Sequence, residues 1–296
     1  MRFDDPSVSL MIKAALLEDA AHQDITTLDF IPFSARVKAR IIAKENGVVC
    51  GTALAAEVFR VFDRSLAVSV LKKDGHAVKA GETLMTVGGR ARSVLSCERL
   101  ALNFLGYLSG IATQTRQACD AVRRAGVRIL DTRKTTPLMR SLEKYAVCAG
   151  GGMNHRLNLA DQYLVKDNHV FILEKTGGFE SLALRRKKVP FEIEVESLSA
   201  LEKSLGYCPD IIMLDNFSPA QVRRAVALLK KIFPKKEHRP LVELSGGIGP
   251  QNIRTYAIKG VDFISLGALT HSAHALDVSL EIIKVNFKQR LLPQEG

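Results

Sequence analysis

After Gly126 the chain alternates between short apolar runs and stretches with helical spacing, and few folds accept that rhythm. The runs occupy 127–131, 162–166, 191–196, 211–215, 241–245 and 263–267. Each has the length of a strand, and helices between strands return the chain so that the strands lie parallel. Most of the runs end on a polar residue or a glycine: Asp131, Lys166, Asp215, Ser245 and Gly267. In a parallel α/β barrel the C-terminal strand ends form the active-site face. Six strands fall short of the roughly eight that close such a barrel, so the pattern predicts an open, incomplete α/β barrel.

The first part of the chain has a different texture. Residues 7–20 read as an amphipathic helix with Val8, Met11, Ile12, Ala15 and Leu16 on one face. Strands are expected at 37–42 and 66–71, with a helix over 53–62 between them. Turn signals at Asp74-Gly75 and Ala80-Gly81 break 73–87 into short strands of a half-barrel or sandwich, similar to lipoyl and biotinyl modules. No attachment lysine is evident in such a hairpin, which argues against a carrier role. A helix is expected from Ser93 to a break at Ser109-Gly110, and a second over 111–124. The tail, 273–287, reads as a helix packing back on the N-terminal part.

Composition narrows the function. Hydrophobic residues make up 47% and charged residues 25%, as in ordinary soluble globular proteins. No apolar run reaches the roughly 20 residues of a membrane span, and the first residues lack the apolar stretch of a signal peptide. Cys50, Cys97, Cys119, Cys148 and Cys208 are scattered and form no CxxC, which suits reduced thiols in a cytoplasmic protein. The net charge of +11 favours anionic partners. Its basic runs, 185–188 and the lysines at 230–231 and 235–236, have no interleaved aromatics and read as solvated faces, not a nucleic-acid surface.

Five clusters carry chemistry. Asp131-Thr132-Arg133-Lys134-Thr135-Thr136 follows a strand and offers a guanidinium fork and an ammonium for carboxylate or phosphate. Gly150-Gly151-Gly152-Met153-Asn154-His155-Arg156 adds cationic donors behind a run of glycines. Lys166 ends its strand, so its ammonium should reach the barrel mouth. Glu192, Glu194 and Glu196 alternate along one strand face. A Mg²⁺ ion, the cationic cluster or a ribose hydroxyl would satisfy them, although Glu192 reads as solvent-facing. Asp215 ends the next strand, and one or two carboxylates plus phosphates suit Mg²⁺. Finally, Ser245-Gly246-Gly247 and Ser265-Leu266-Gly267 close the last two strand–helix units, the usual phosphate site of barrels.

Taken in order, Glu98-Arg99-Leu100-Ala101-Leu102-Asn103, Asp131-Thr132-Arg133-Lys134-Thr135, Asn154-His155-Arg156, Lys166-Asp167-Asn168-His169, Leu214-Asp215-Asn216 and Ser245-Gly246-Gly247-Ile248 resemble the quinolinate phosphoribosyltransferases. The resemblance runs over almost the whole chain. It implies an N-terminal α/β sandwich, residues 1–110 with a C-terminal helix over 274–296, and a barrel over 111–273. It also implies a homodimer, or a hexamer built of such dimers, with each active site completed by Arg99 of the other subunit. Arg133, Lys134, His155 and Arg156 would bind the two quinolinate carboxylates. Lys166, Glu194 and Asp215 would face phosphoribosyl pyrophosphate, the two acids holding ribose hydroxyls and Mg²⁺, directly or through water. Ser245, Gly246, Gly247, Ser265 and Gly267 would take the 5′-phosphate. Lys134, Lys166, Glu194 and Asp215 are the catalytic candidates.

Overall fold

The computed structural model describes residues 6–178 and 189–287, so the basic run 185–188 and the end of the tail lie outside the described residues. The chain divides into two compact units. One runs to Thr113 and resumes at Ala273; the other is Gln114–Ser272.

The first unit opens with α1 (Pro6–Glu18) and α2 (Ile25–Phe30), followed by β1 (Arg36–Ala43) and β2 (Gly47–Val48). Next come α3 (Thr52–Phe62), β3 (Ala67–Val70), β4 (Ala77–Val78), β5 (Thr83–Arg90) and the long α4 (Ala91–Val122), whose residues from Gln114 on belong to the second unit. In β1 the residues Val37, Ala39 and Ile41 are buried while Arg36 and Lys38 face out, the alternation of a strand with one covered face. Asp74, in the Asp-Gly turn, caps α3 by accepting from the N–H groups of Gly51 (2.9 Å) and Thr52 (3.0 Å).

Two expectations fail here, and both fail for the same stretch of chain. The tail is not a helix: Val278–Asn286 is a strand, antiparallel to β1, which gives a four-stranded sheet in the order C-terminal strand, β1, β5, β3. Lys38 pairs with Lys284 but Ala39 pairs with Ile282, so Ile283 is a bulge residue. The bulge spoils the two-residue alternation and leaves apolar positions at 278, 282 and 285 that mimic helical spacing.

Nor does α4 break at Ser109-Gly110. A Cβ at Gly110 would lie 1.9 Å from the His274 carbonyl oxygen, and one at Gly106 would lie 2.8 Å from that of Leu276. Leu276 N–H donates to the Gly106 carbonyl at 2.9 Å. These glycines flatten one helix face for the chain crossing it; they do not end the helix.

The second unit contains β6 (Arg128–Leu130), α5 (Arg140–Gly150), β7 (Tyr163–Val165), α6 (Asp167–Thr176), β8 (Phe191–Val195) and α7 (Leu198–Ser204). It continues with β9 (Ile211–Asp215), α8 (Pro219–Ile232), β10 (Leu241–Ser245), α9 (Ile253–Tyr256), β11 (Phe263–Ser265) and α10 (Ala268–His271). The six strands form one parallel sheet in the order β6, β11, β10, β9, β8, β7. β6 and β7 are its two edges, so the barrel is open between them. Past β6, Met153 extends the sheet by a single bridge to Leu130. The helices keep to their sequence logic. In α8, Ser218 and Gln221 form a capping box with proline in the first turn, and Val222, Ala225, Val226 and Leu229 make the buried stripe.

Candidate active site

All six strands of the second unit send a side chain or a following loop into one cavity of about 710 Å³ at their C-terminal ends. The loop after β6 is tied down along its length. Lys134 N–H donates to Thr132 Oγ1 (3.0 Å), Arg140 Nε to Thr135 Oγ1 (3.0 Å) and Thr136 N–H to the Glu143 carboxylate (3.1 Å). Thr270 Oγ1, one strand away, donates to the Lys134 carbonyl (2.6 Å). Arg133 and Lys134 therefore start from a fixed backbone.

The segment carrying His155 and Arg156 is fixed from below. Asp131 and Lys144 form an ion pair shut off from solvent. Asp131 also accepts the His155 N–H (2.9 Å), and Lys144 Nζ donates to the His155 carbonyl (2.9 Å). In the amide orientation that satisfies its neighbours, Asn154 donates to Asp131 Oδ2 (2.7 Å) and to the Lys144 carbonyl (3.0 Å). Burial raises the Asp131 carboxyl above its ordinary range, and the Lys144 and His155 contacts offset only part of this.

One wall of the cavity is cationic: Arg133, Lys134, Arg156 and Lys166. The Nε–H groups of Arg133 and Arg156 are buried with no hydrogen-bond partner. Burial, and then the neighbouring Arg133 charge, lowers the proton affinity of Arg156. Two adjacent guanidinium groups with unsatisfied donors form a site that an anion would stabilise. The same cavity is lined by the carboxylates of Glu194 and Asp215. Glu194 pairs with Lys166, and Asp215 Oδ2 accepts from Asn216 Nδ2 at 2.7 Å.

Beyond these lies the Ser245-Gly246-Gly247 turn. Gly246 has φ +87°, and a Cβ there would fall 2.2 Å from Asn216 Oδ1. Asn216 itself has φ 56° and donates its N–H to the Ser245 carbonyl (2.9 Å). The turns after β9 and β10 thus interlock, and only glycine fits at 246. The following helices, α9 and α10, are a single turn each. Backbone N–H groups of the loops, more than any helix dipole, are what this end of the cavity offers a phosphate.

A buried acidic pair backs the cavity, and of the two only Glu243 reaches its lining. Glu192 on β8 and Glu243 on β10 are both 0% exposed, and their carboxyl groups lie within 4.8 Å of each other. Ser265 Oγ donates to Glu243, and Gln162 Nε2 donates to Glu192 (2.7 Å). Burial pushes Glu192 up to about 7. Burial, and then the Glu192 charge, pushes Glu243 up to about 8. As a coupled pair the two hold about one proton between them at neutral pH. His155 Nε2 lies 3.1 Å from Glu192 and 3.6 Å from Glu243, ion-pair distances. Yet burial, together with the Lys144 and Arg156 charges, lowers its proton affinity in spite of the acids, so the ring is a neutral donor there.

Every site residue expected from the sequence lines this cavity except Arg99. Arg99 is exposed on α4, in the first unit. One expectation about the acids is overturned. Glu192 does not face solvent, because β8 lies inside the sheet between β7 and β9 and its alternate residues point to the interior. Glu243, the other acid of the buried pair, carried no motif. Its signal was the alternation itself, since it shares a strand face with Ser245 one step deeper. His271 also lines the cavity, on α10.

Comparison with known proteins bears on the same residues. A sequence profile described as the quinolinate phosphoribosyl transferase C-terminal domain matches residues 111–281, and the N-terminal domain profile matches residues 24–109. The chain belongs to the quinolinate phosphoribosyltransferase family. Within that family it is 39% identical over 280 residues to a probable nicotinate-nucleotide pyrophosphorylase [carboxylating] of Methanocaldococcus jannaschii, covering 93% of this chain and 96% of the relative. It is 40% identical over 277 residues to the enzyme of that name from Mycobacterium leprae, covering 92% and 95%. The crystal structure of the Ehrlichia chaffeensis nicotinate-nucleotide pyrophosphorylase superposes with a TM-score of 0.85 at 37% identity, covering 93% of this chain and 98% of that one. The open six-stranded sheet is thus the architecture of quinolinate phosphoribosyltransferases, reached without barrel closure.

Proposed function

We propose that this chain transfers the phosphoribosyl group of phosphoribosyl pyrophosphate to quinolinate, releasing pyrophosphate and CO2 and forming nicotinate mononucleotide for NAD biosynthesis. The observation that carries the reading is the pair Arg133 and Arg156, whose buried Nε–H groups have no protein partner. Two guanidinium forks with Lys134 beside them match a rigid dicarboxylate. A pyridine monocarboxylate or amide would leave part of that charge unpaired.

The chemistry needs positioning and neutralisation more than a nucleophile. Quinolinate and phosphoribosyl pyrophosphate are both polyanions, and the cationic wall offsets their repulsion. As the C1–O bond to pyrophosphate breaks, positive charge develops on the ribose. Glu194 and Asp215, near the C-terminal ends of adjacent strands, would hold the ribose hydroxyls and stabilise that charge. Lys166, paired with Glu194, would contact the ribose–pyrophosphate junction. The pyridine nitrogen supplies the electron pair for the new C1–N bond. Its positive charge then draws in the electrons released when the adjacent carboxylate leaves as CO2, and a proton takes that ring position. The loops at 245–247 and 265–267 would grip the 5′-phosphate.

Glu194 and Asp215 offer hard oxygen donors of the number Mg²⁺ takes when phosphates and water complete its shell, and Lys166 already balances one of them, so the residues fit the ion. When bound, Mg²⁺ would neutralise the departing pyrophosphate. Arg99, exposed on α4, would complete the site of a second subunit, in a homodimer or a hexamer of such dimers. No described helix is long and apolar enough to cross a membrane, and all five cysteines are free, which supports a cytoplasmic setting.

The test is direct. Purified protein with quinolinate, phosphoribosyl pyrophosphate and Mg²⁺ should yield CO2 and nicotinate mononucleotide in equal amounts. Turnover of nicotinate or nicotinamide, with none of quinolinate, would overturn the assignment. Arg133→Ala should lose quinolinate binding, and unchanged turnover in that variant would count equally against it.

A further inference from the structure

Behind the cavity lining lie polar groups to which the reaction gives no task, and they are linked to one another. The Arg156 N–H donates to His155 Nδ1 at 2.8 Å. Nδ1 is therefore an acceptor, and the imidazole proton sits on Nε2. That nitrogen faces Glu192 Oε2 at 3.1 Å. The same oxygen accepts Gln162 Nε2 (2.7 Å), and the Gln162 carbonyl accepts Arg156 Nη1 (3.1 Å). The contacts form a ring that begins and ends on Arg156. It lies where the barrel is open, tying the segment beyond β6 to β7 and β8.

Both nitrogens of His155 are thus spent on protein groups. This departs from the direct carboxylate-binding role that the family resemblance implies for it. The arrangement is also turned the wrong way for a metal ligand. His155, Glu192 and Glu243 do bring donor atoms within 4.8 Å of one another. A ligating imidazole, however, donates an N–H from its outer nitrogen, whereas here the outer nitrogen accepts one. What remains is Glu192 Oε1 and Glu243 Oε2, buried and lacking any N–H or O–H donor from another group. One proton shared between these carboxyls satisfies both. Glu192 Oε2 faces two N–H donors, so the negative charge rests there and Glu243 carries the proton.

We infer that Gln162 and Glu192 are positioning residues, which act through His155 and the Gln162 carbonyl to hold the Arg156 guanidinium in place for a dicarboxylate substrate. The inference rests on the reading of Arg156 as a quinolinate clamp and deepens it.

Steady-state kinetics on the full chain with both substrates tests the ring. Gln162→Ala and Glu192→Leu should each raise KM for quinolinate about tenfold, the worth of a hydrogen bond to a charged group. KM for phosphoribosyl pyrophosphate and kcat should stay near wild type. Because the ring acts as one unit, the double variant should be no worse than Glu192→Leu alone. Glu192→Gln, which keeps an acceptor oxygen toward Gln162 and His155, should recover much of the loss. Equal rises in both KM values, no rise in either, or single effects that multiply would overturn the ring. Gln162 is half-buried and its backbone carbonyl survives truncation, so Gln162→Ala decides the matter alone should Glu192→Leu not fold. A wild type inactive on quinolinate would sink the functional reading along with the ring, whereas an active wild type with unshifted variants sinks only the ring.

Discussion

Lys144 and Asp131 meet where water does not reach, and their bonds to His155 translate that pairing into the placement of Arg156. Removing one partner strands the other charge, so Lys144→Met should destabilise the protein by about 3–5 kcal/mol, read by urea unfolding. The buried acids act on stability through pH. Both carboxyls are raised above the ordinary 4.5, to about 7 and about 8. The native state therefore keeps a proton that the unfolded chain has released, and this contribution is whole below about 4.5 and lost as pH rises through 7 and 8. His155, lowered from 6.5, acts in the opposite sense only below that value. Urea midpoints should fall from pH 6.5 upward, more steeply in the wild type than in Glu243→Gln; parallel slopes would remove the pair as the cause. Neither feature announces itself in the sequence. Lys144 looks like any lysine of a surface helix, and Glu243 like a strand interruption. By contrast Arg133, Lys166 and Asp215 were legible because each directly follows or ends an apolar run.

Among elements, the strands of the second unit were legible because burial on both faces makes them short, dense apolar words. The C-terminal strand was not, since its bulge at Ile283 disguises the alternation. The α4 helix was misread because glycine has two uses, ending a helix and letting another chain come close, and sequence shows the residue without the neighbour. A substitution separates the two. Alanine favours helix over glycine by about 1 kcal/mol, yet Gly110→Ala would force a Cβ to within 1.9 Å of the His274 oxygen. The expected outcome is a net loss of about 1–3 kcal/mol in urea unfolding, as for overpacked cores. A gain in stability would mean that the crossing chain yields easily.

At the scale of the whole molecule, Arg99 sets the question of assembly. If it serves a second subunit, Arg99→Ala and Lys166→Ala chains, each inactive alone, should recover activity when unfolded together and refolded as a mixture. Random pairing into dimers predicts about a quarter of wild-type turnover, because each mixed dimer keeps one intact site. No recovery would place Arg99 in the site of its own chain or outside catalysis altogether. The first unit is also written at both ends of the polypeptide, with the second inserted between. On the ribosome β1 emerges early, but the strand that covers its edge follows roughly 240 residues later, on the order of ten seconds or more at ordinary rates of synthesis. For that interval a nascent chain carries an open sheet edge of the kind that captures foreign strands. A stop codon between His271 and Val278 would make that exposure permanent, so such late truncations should aggregate even though the candidate active site is encoded in full.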